Sequence, residues 1–248
     1  MLSEETRRKL REMNFGELVE ALDLQENQPE YMALTFDERM NLAVDYTYSA
    51  KYNSKVHRLI NAAKFRIADA ALANVYYEKR GLDKDLILTL GNCGFIEKNQ
   101  PVVFNGFTGS GKSYLACAIG RQACMQGFRT RYIRVPDLME LLGEASLDIH
   151  GRAKILKKFS GYRLLILDEW LLNDMTEIEQ HFIFELIERR YDCTSTIFCT
   201  QYKREDWHSR LGGGIHADAI MDRIVHTAVW VYSGDINMRE LQAKEAES

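Results

Sequence analysis

The stretch Gly106-Phe107-Thr108-Gly109-Ser110-Gly111-Lys112-Ser113 decides the fold of this chain. It matches every fixed position of the P-loop pattern, G-x-x-x-x-G-K-[S/T]. The short apolar run 101–105 before it predicts a buried strand, and residues 114–126 carry apolar side chains at helical spacing. A loop between a strand and a helix N-terminus presents backbone N–H groups and the helix dipole to phosphate oxygens. The stretch therefore predicts a phosphate site rather than a chance glycine-rich turn.

The residues of the P-loop have distinct predicted roles. Lys112 is expected to reach the β- and γ-phosphates of ATP, and the Ser113 hydroxyl is expected to ligate Mg²⁺. The residues expected to contact the nucleotide are Gly106, Thr108, Gly109, Ser110, Gly111, Lys112, Ser113 and Tyr114. The predicted cofactors are ATP and Mg²⁺.

A second nucleotide-site signature lies downstream, where the aliphatic run 164–167 ends in Asp168 and Glu169. Such a run predicts a strand in the centre of a sheet, with both carboxylates projecting beside the P-loop. Asp168 is expected to hold Mg²⁺ through water, and Glu169 to polarise the water that attacks the γ-phosphate. Aliphatic runs that end in an acid are common, so the P-loop upstream is what gives this signature its weight.

Strand and helix patterns alternate from Pro101 onward, which predicts a parallel sheet flanked by helices. Gln201 directly follows the predicted strand 195–200. A strand placed between the P-loop strand and the Asp168 strand would point Gln201 at the γ-phosphate as a sensor. The alternative is an ordinary turn residue at a strand end.

Residues 1–70 show no strand pattern and predict a small all-α domain before an ATPase domain at 71–248. Residues 6–24 carry apolar side chains at helical spacing. Thr35 and Glu38 form a capping box, which opens a helix expected to run past Ala50.

The region between Asp45 and Asp69 contains no acidic residue. At about 100° per residue, several of its basic residues share one helical stripe beside an apolar face. These are Lys51, Lys55, Arg58 and Arg66, and Lys64 is a further candidate. Such a helix suits a DNA backbone, although a solvated charged face fits the pattern equally well.

Composition narrows the class of protein. The 248 residues are 46% hydrophobic and 27% charged, with a net charge of −4, which argues against a wholly basic nucleic-acid coat. No apolar run approaches the roughly 18 residues of a membrane span, and the polar, acidic N-terminus is unlike a signal peptide. The odd number of cysteines, without a C-x-x-C, indicates reduced thiols. A cytoplasmic protein that needs no membrane is expected.

The combined pattern resembles the IstB-like helper ATPases of insertion-sequence elements, in the DnaA/DnaC branch of the AAA+ superfamily. The resemblance covers nearly the whole chain. The strings that carry it, besides the P-loop, are Arg80-Gly81-Leu82-Asp83, L-I-L-D-E-W at 165–170, Trp207-His208, D-A-I-M-D-R-I-V-H at 218–226 and G-D-I-N-M-R at 234–239. It implies an α/β fold with a parallel five-stranded sheet flanked by helices, a small all-α N-terminal domain and a minimal C-terminal lid.

The resemblance also implies roles for two arginines. Arg223 looks like an arginine finger that acts on a neighbouring subunit's ATP, and Arg239 looks like the sensor II arginine that acts within its own subunit. A finger acting in trans implies ATP-dependent homo-oligomers. Two departures stand out: Glu169 replaces an Asp found in many relatives, and the string 234–239 is one residue longer than the usual G-E-S-M-R.

The implied partners are a cognate transposase and duplex DNA, which favours DNA contact by Lys51, Lys55 and Arg58. The predicted function is therefore an ATPase that binds duplex DNA and helps a transposase select its target. The alternative is a replicative helicase loader of the DnaC type. A P-loop phosphotransferase and a nucleotide-binding scaffold without turnover are further alternatives.

Overall fold

The computed structural model describes residues 2–234 and 236–246. It divides into two compact units, Met1–Arg58 and Leu59–Ser248. The first helices of the chain are α1 (Glu4–Glu12), α2 (Gly16–Asn27), the 3₁₀ helix Pro29–Ala33 and α3 (Phe36–Ala63). Among the described residues, no helix has the length and apolar character needed to cross a membrane.

In the first unit, the predicted helical stretch 6–24 is broken into α1 and α2. The break lies at Asn14, whose φ of 61° is in the left-handed region and cannot continue a right-handed helix. Arg7 then pairs with Asp23 and Glu26 of α2, which holds the two helices together. The capping box is confirmed, because Thr35 N donates to Glu38 Oε2 at 2.8 Å and Glu38 N donates to Thr35 Oγ1 at 3.4 Å.

The second unit alternates strands and helices, as predicted. Its helices before the sheet are the 3₁₀ helices Leu72–Asn74 and Glu78–Arg80, then α4 (Lys84–Gly91) and α5 (Gly94–Glu97). The sheet and its helices follow as β1 (Val102–Asn105), α6 (Lys112–Met125), β2 (Thr130–Arg134), α7 (Val135–Ala145), α8 (Gly151–Ser160), β3 (Leu164–Asp168), α9 (Glu177–Arg190) and β4 (Ser195–Thr200). The chain then forms the 3₁₀ helix Arg204–Asp206, α10 (Trp207–Arg210), α11 (Gly214–Val225), β5 (Val229–Tyr232) and α12 (Met238–Ala246).

The five strands form one parallel sheet in the order β2-β3-β4-β1-β5. This order confirms that β4 lies between the P-loop strand and the Asp168 strand. Successive side chains of a strand point to opposite faces, so Phe104 packs in the core with α6 and Val103 packs in the core with α7, α8, α9 and α11. The carboxyl ends of β1, β3 and β4 therefore meet at one sheet edge.

The compact units divide at Arg58, before the domain boundary expected after residue 70. The physical reason is the packing of the segment after α3. Phe65 and Ile67 pack on the same apolar cluster as α6, and Ala70 is 1% exposed within that cluster. The residues just before 71 thus belong to the sheet's own core.

Candidate nucleotide-binding site

The P-loop follows the carboxyl end of β1 and leads directly into α6. Its glycines are required by geometry at two places. Gly109 and Gly111 have φ angles of 91° and 88°. A Cβ would lie 2.5 Å from Asn237 Oδ1 at Gly109, and 2.9 Å from Arg80 Nη2 at Gly111. Only glycine fits this path without displacing its neighbours.

Lys112 occupies the curve of the P-loop. Its Nζ donates to the carbonyl oxygens of Gly106 at 2.7 Å and Phe107 at 2.8 Å. Burial lowers the pKa of this ammonium. The ammonium group of Lys112 therefore lies inside the P-loop, where the sequence pattern predicted a phosphate-binding lysine.

The P-loop is tied to the segment that precedes α12. Ser110 and Ser233 share a hydroxyl–hydroxyl hydrogen bond of 2.6 Å, and Met238 N donates to Gly109 O at 2.9 Å. Arg80, 4% exposed, donates to the carbonyl oxygens of Ser110 and of Ser233. The turn beginning at Arg80 thus supports the loop, a role that its sequence did not suggest.

Ser113 and Asp168, the two predicted metal ligands, are in contact. Ser113 Oγ donates to Asp168 Oδ2 at 2.6 Å, and the Tyr132 hydroxyl donates to the same oxygen at 2.6 Å. Burial, reinforced by the Asp168 carboxylate, raises the pKa of Tyr132, which stays a hydrogen-bond donor. A hydroxyl and a carboxylate together are the hard oxygen donors that Mg²⁺ requires, so this pair fits the ion.

Glu169 directly follows β3 with a φ of 57°, a strained value for a residue with a side chain. Its backbone N–H donates to Asp168 Oδ1 at 2.9 Å. Its side chain, 24% exposed, lies 3.4 Å from Arg66 Nη1 through Oε1 and 3.5 Å from Arg134 Nη1 through Oε2. Both arginines were absent from the site predicted from sequence. Arg134 ends β2, so the strand-end argument that selected Gln201 could have found it.

Gln201 reaches the P-loop from β4, because Thr108 Oγ1 donates to its Oε1 at 2.9 Å. A cavity of about 940 Å³ opens beside the loop. Its lining includes Arg66, Tyr76, Gly109, Lys112, Ser113, Tyr114, Met238 and Arg239. This volume is typical of a site for a small organic ligand. Arg239 thus lies on the P-loop cavity, while Asp235 of the same string is outside the described residues.

Arg223 lies elsewhere. It pairs with Glu188 of α9, and its guanidinium lies 5.7 Å from the Phe184 ring and 5.8 Å from the Tyr191 ring. It lines a cavity of about 520 Å³ together with Pro101, which precedes β1. The P-loop follows the carboxyl end of β1, whereas this cavity lies at its amino end. A strand rises about 3.3 Å per residue, so the four residues of β1 separate the Arg223 cavity from the P-loop by roughly 13 Å.

The predicted DNA-contact residues do not share one helix. Helix α3 ends at Ala63, and Lys64 follows with a φ of 57°. The predicted stripe is therefore wrong for Arg66, which lies beyond the helix and contacts Glu169. Lys55 and Arg58 are exposed on α3, whereas Lys51 donates to Asn14 O at 2.6 Å and lies 4.5 Å from the Phe15 ring.

Residues 8–246 match the family model described as IstB-like ATP binding protein. The chain belongs to this family. An insertion sequence ATP-binding protein of Sinorhizobium fredii is 32% identical over 99% of this chain and 100% of its own length. The IS1162 ATP-binding protein of Pseudomonas fluorescens is 34% identical over 81% of this chain and 87% of its own.

Solved structures show the AAA+ fold of this IstB-like chain. The replication initiator DnaA, bound to AMPPCP and single-stranded DNA, aligns with a TM-score of 0.59 at 19% identity, over 74% of this chain and 57% of that one. The DnaC helicase loader aligns with a TM-score of 0.55 at 21% identity, over 66% of this chain and 96% of that one. The predicted resemblance to the IstB-like family and the predicted AAA+ fold class are both confirmed.

Proposed function

We propose that this IstB-like chain is an ATPase that assembles on duplex DNA with ATP and engages a transposase for target selection. The observation that carries the proposal is the meeting of Lys112, Ser113, Asp168 and Glu169 at the carboxyl ends of β1 and β3, the two strands that flank β4. Family membership supports ATP binding and a place in an insertion sequence. The assignment to transposition is favoured over helicase loading because the DnaC likeness, at 21% identity, concerns the fold alone.

Each residue of the site has its own role in ATP binding and hydrolysis. The P-loop and Lys112 hold the phosphates, and Ser113 with Asp168 would hold Mg²⁺, which when bound offsets negative charge on the phosphates. Glu169 orients the attacking water and accepts its proton. Gln201 and Arg239 contact the γ-phosphate from β4 and from α12.

The test begins with purified protein, ATP and duplex DNA. ATP-dependent DNA binding and release of free phosphate are expected, and a phosphorylated acceptor would favour a phosphotransferase instead. The transposase encoded beside the gene should co-purify with the ATP-bound protein. Capture of a replicative helicase but not of that transposase would support the loader function.

Arg223 is expected to complete the ATP site of a neighbouring copy. It lies near the amino end of β1 and cannot serve the P-loop of its own chain. Arg223→Ala should lower ATP hydrolysis at least about tenfold, because an arginine finger stabilises transition-state charge, and should leave ATP binding within about twofold. Phosphate release measures hydrolysis, and nucleotide titration measures ATP binding.

Mixing two variant proteins tests whether Arg223 acts on the ATP of a neighbouring subunit or on the ATP of its own. Arg223→Ala chains retain the P-loop, and Lys112→Ala chains retain the finger, so a mixture of the two inactive proteins should regain activity. A mixture as inactive as its components would contradict the assignment. Glu188→Gln is the matched control, because it removes the Arg223 ion pair but leaves the arginine in place.

Lys55 and Arg58 are expected to contact DNA phosphates. Replacing both by Ala should weaken DNA binding and reduce the slope of log K against log salt by about 1.8, which is roughly 0.9 for each lost contact. Fluorescence anisotropy at several salt concentrations measures the slope. Arg8→Ala with Lys9→Ala removes the same charge from α1 of the same unit. Equal slopes for both double variants would count against a specific contact.

A further inference from the structure

Arg66 contacts the carboxylate that directly follows β3. Its Nη1 donates to Glu169 Oε1 at 3.4 Å, and Glu169 is the neighbour of Asp168, which accepts from the Tyr132 hydroxyl. Arg134 faces the other Glu169 oxygen at 3.5 Å. Both oxygens of the water-activating carboxylate therefore face guanidinium groups.

The backbone on either side of this contact is held in place. Phe65 and Ile67, which flank Arg66, pack on the apolar cluster of α6. Arg121 of α6 donates to Ala68 O at 2.7 Å, which secures the same segment. On the opposite side, the N–H of Trp170 donates to Cys199 O at 2.9 Å and fixes the chain after Glu169. Because the backbone on both sides is fixed, the contact between the Arg66 and Glu169 side chains is the part that can change.

We propose that Arg66 is a positioning residue that holds Glu169 in a resting orientation. The inference rests on the proposed function, since it assigns Glu169 to water activation. A carboxylate must direct one oxygen at the attacking water, and in this orientation each oxygen is instead paired with a guanidinium group. The Arg66 side chain is 44% exposed, and partly exposed ion pairs are weak. The contact is therefore readily exchanged when the cavity that Arg66 shares with Lys112 and Ser113 fills.

Arg66→Ala is expected to raise kcat for ATP hydrolysis about two- to fivefold, the rate equivalent of a weak ion pair, with KM within about twofold. Arg66→Lys keeps the charge and should stay nearer the wild-type rate. Arg121→Ala is the matched control, because it loosens the same segment without touching Glu169, and wild-type kinetics are expected. A rate for Arg66→Ala at or below wild type overturns the proposal, as does equal acceleration by Arg121→Ala.

Nucleotide-free protein supplies a readout that is independent of turnover. The Arg66 Nε–Hε NMR signal, assigned by its loss in Arg66→Lys, should shift in Glu169→Gln but not in Glu140→Gln. An unmoved signal in Glu169→Gln overturns the contact. Failure of the proposed function is distinguishable, because Glu169→Gln would then hydrolyse ATP at the wild-type rate. If Glu169→Gln is inactive and Arg66→Ala is not accelerated, only the role of Arg66 fails.

Discussion

Replacing Glu169 by Gln is expected to lower ATP hydrolysis by about 10²–10⁴-fold, the usual contribution of a general base. The amide keeps the size of the side chain but cannot accept the proton of the attacking water. Lys112, Ser113 and Asp168 remain in place, so ATP binding should stay within about twofold of wild type. Steady-state phosphate release and titration with a fluorescent ATP analogue measure the two properties separately.

Glu140→Gln is the control for this substitution, because Glu140 lines a small cavity together with Glu169 and lies on α7 rather than at the strand ends. It should hydrolyse ATP at the wild-type rate. Lys112→Ala should instead lose ATP binding itself. Hydrolysis by Glu169→Gln at more than about a tenth of the wild-type rate would show that another group activates the water.

Arg190→Ala is expected to lower the free energy of unfolding by about 3–5 kcal/mol, since each buried polar group left without a partner costs about 1–3 kcal/mol. Arg190 is the last residue of α9 and is 2% exposed. It donates to the carbonyl oxygens of Phe159, Tyr162 and Ser195 and to the Thr196 hydroxyl. Burial lowers its pKa to about 9, so it remains charged at neutral pH. Alanine would leave all these acceptors buried and unmatched.

Urea denaturation followed by circular dichroism measures this loss. Arg189→Ala removes the same charge one residue earlier in α9, at an exposed position. That control should change the free energy of unfolding by less than about 0.5 kcal/mol. The interpretation of Arg190 would be wrong if the two variants unfolded within about 1 kcal/mol of each other, because an exposed arginine and a buried donor would then be equivalent.

Local patterns in the chain predicted much of the ATPase unit. The P-loop and the aliphatic strand before Asp168 both lie where the residues indicated. These features depend on neighbours in the chain, so a pattern of a few residues is enough to recognise them. The choice of Gln201 assumed that β4 lies between β1 and β3, and the strand order agrees with that assumption.

The helical spacing of apolar residues gave wrong helix boundaries where a single residue interrupts a helix. A left-handed residue at Asn14 separates α1 from α2, and another at Lys64 follows the end of α3. Apolar spacing continued across both positions, so the pattern extended each helix too far. The extended pattern consequently grouped Arg66 with the predicted DNA-binding stripe of α3.

The sequence by itself determined the phosphate loop, the paired carboxylates and the family of this chain, because each depends on residue types at fixed spacing. Only the tertiary structure decided which groups surround Glu169. Strand pairing places Arg134 beside Asp168, and packing of Phe65 and Ile67 on the core brings Arg66 to the same carboxylate. More than 100 residues separate Arg66 from Glu169 along the chain. No local pattern encodes a contact across that distance, since it arises only when the segment and the strand pack in one core.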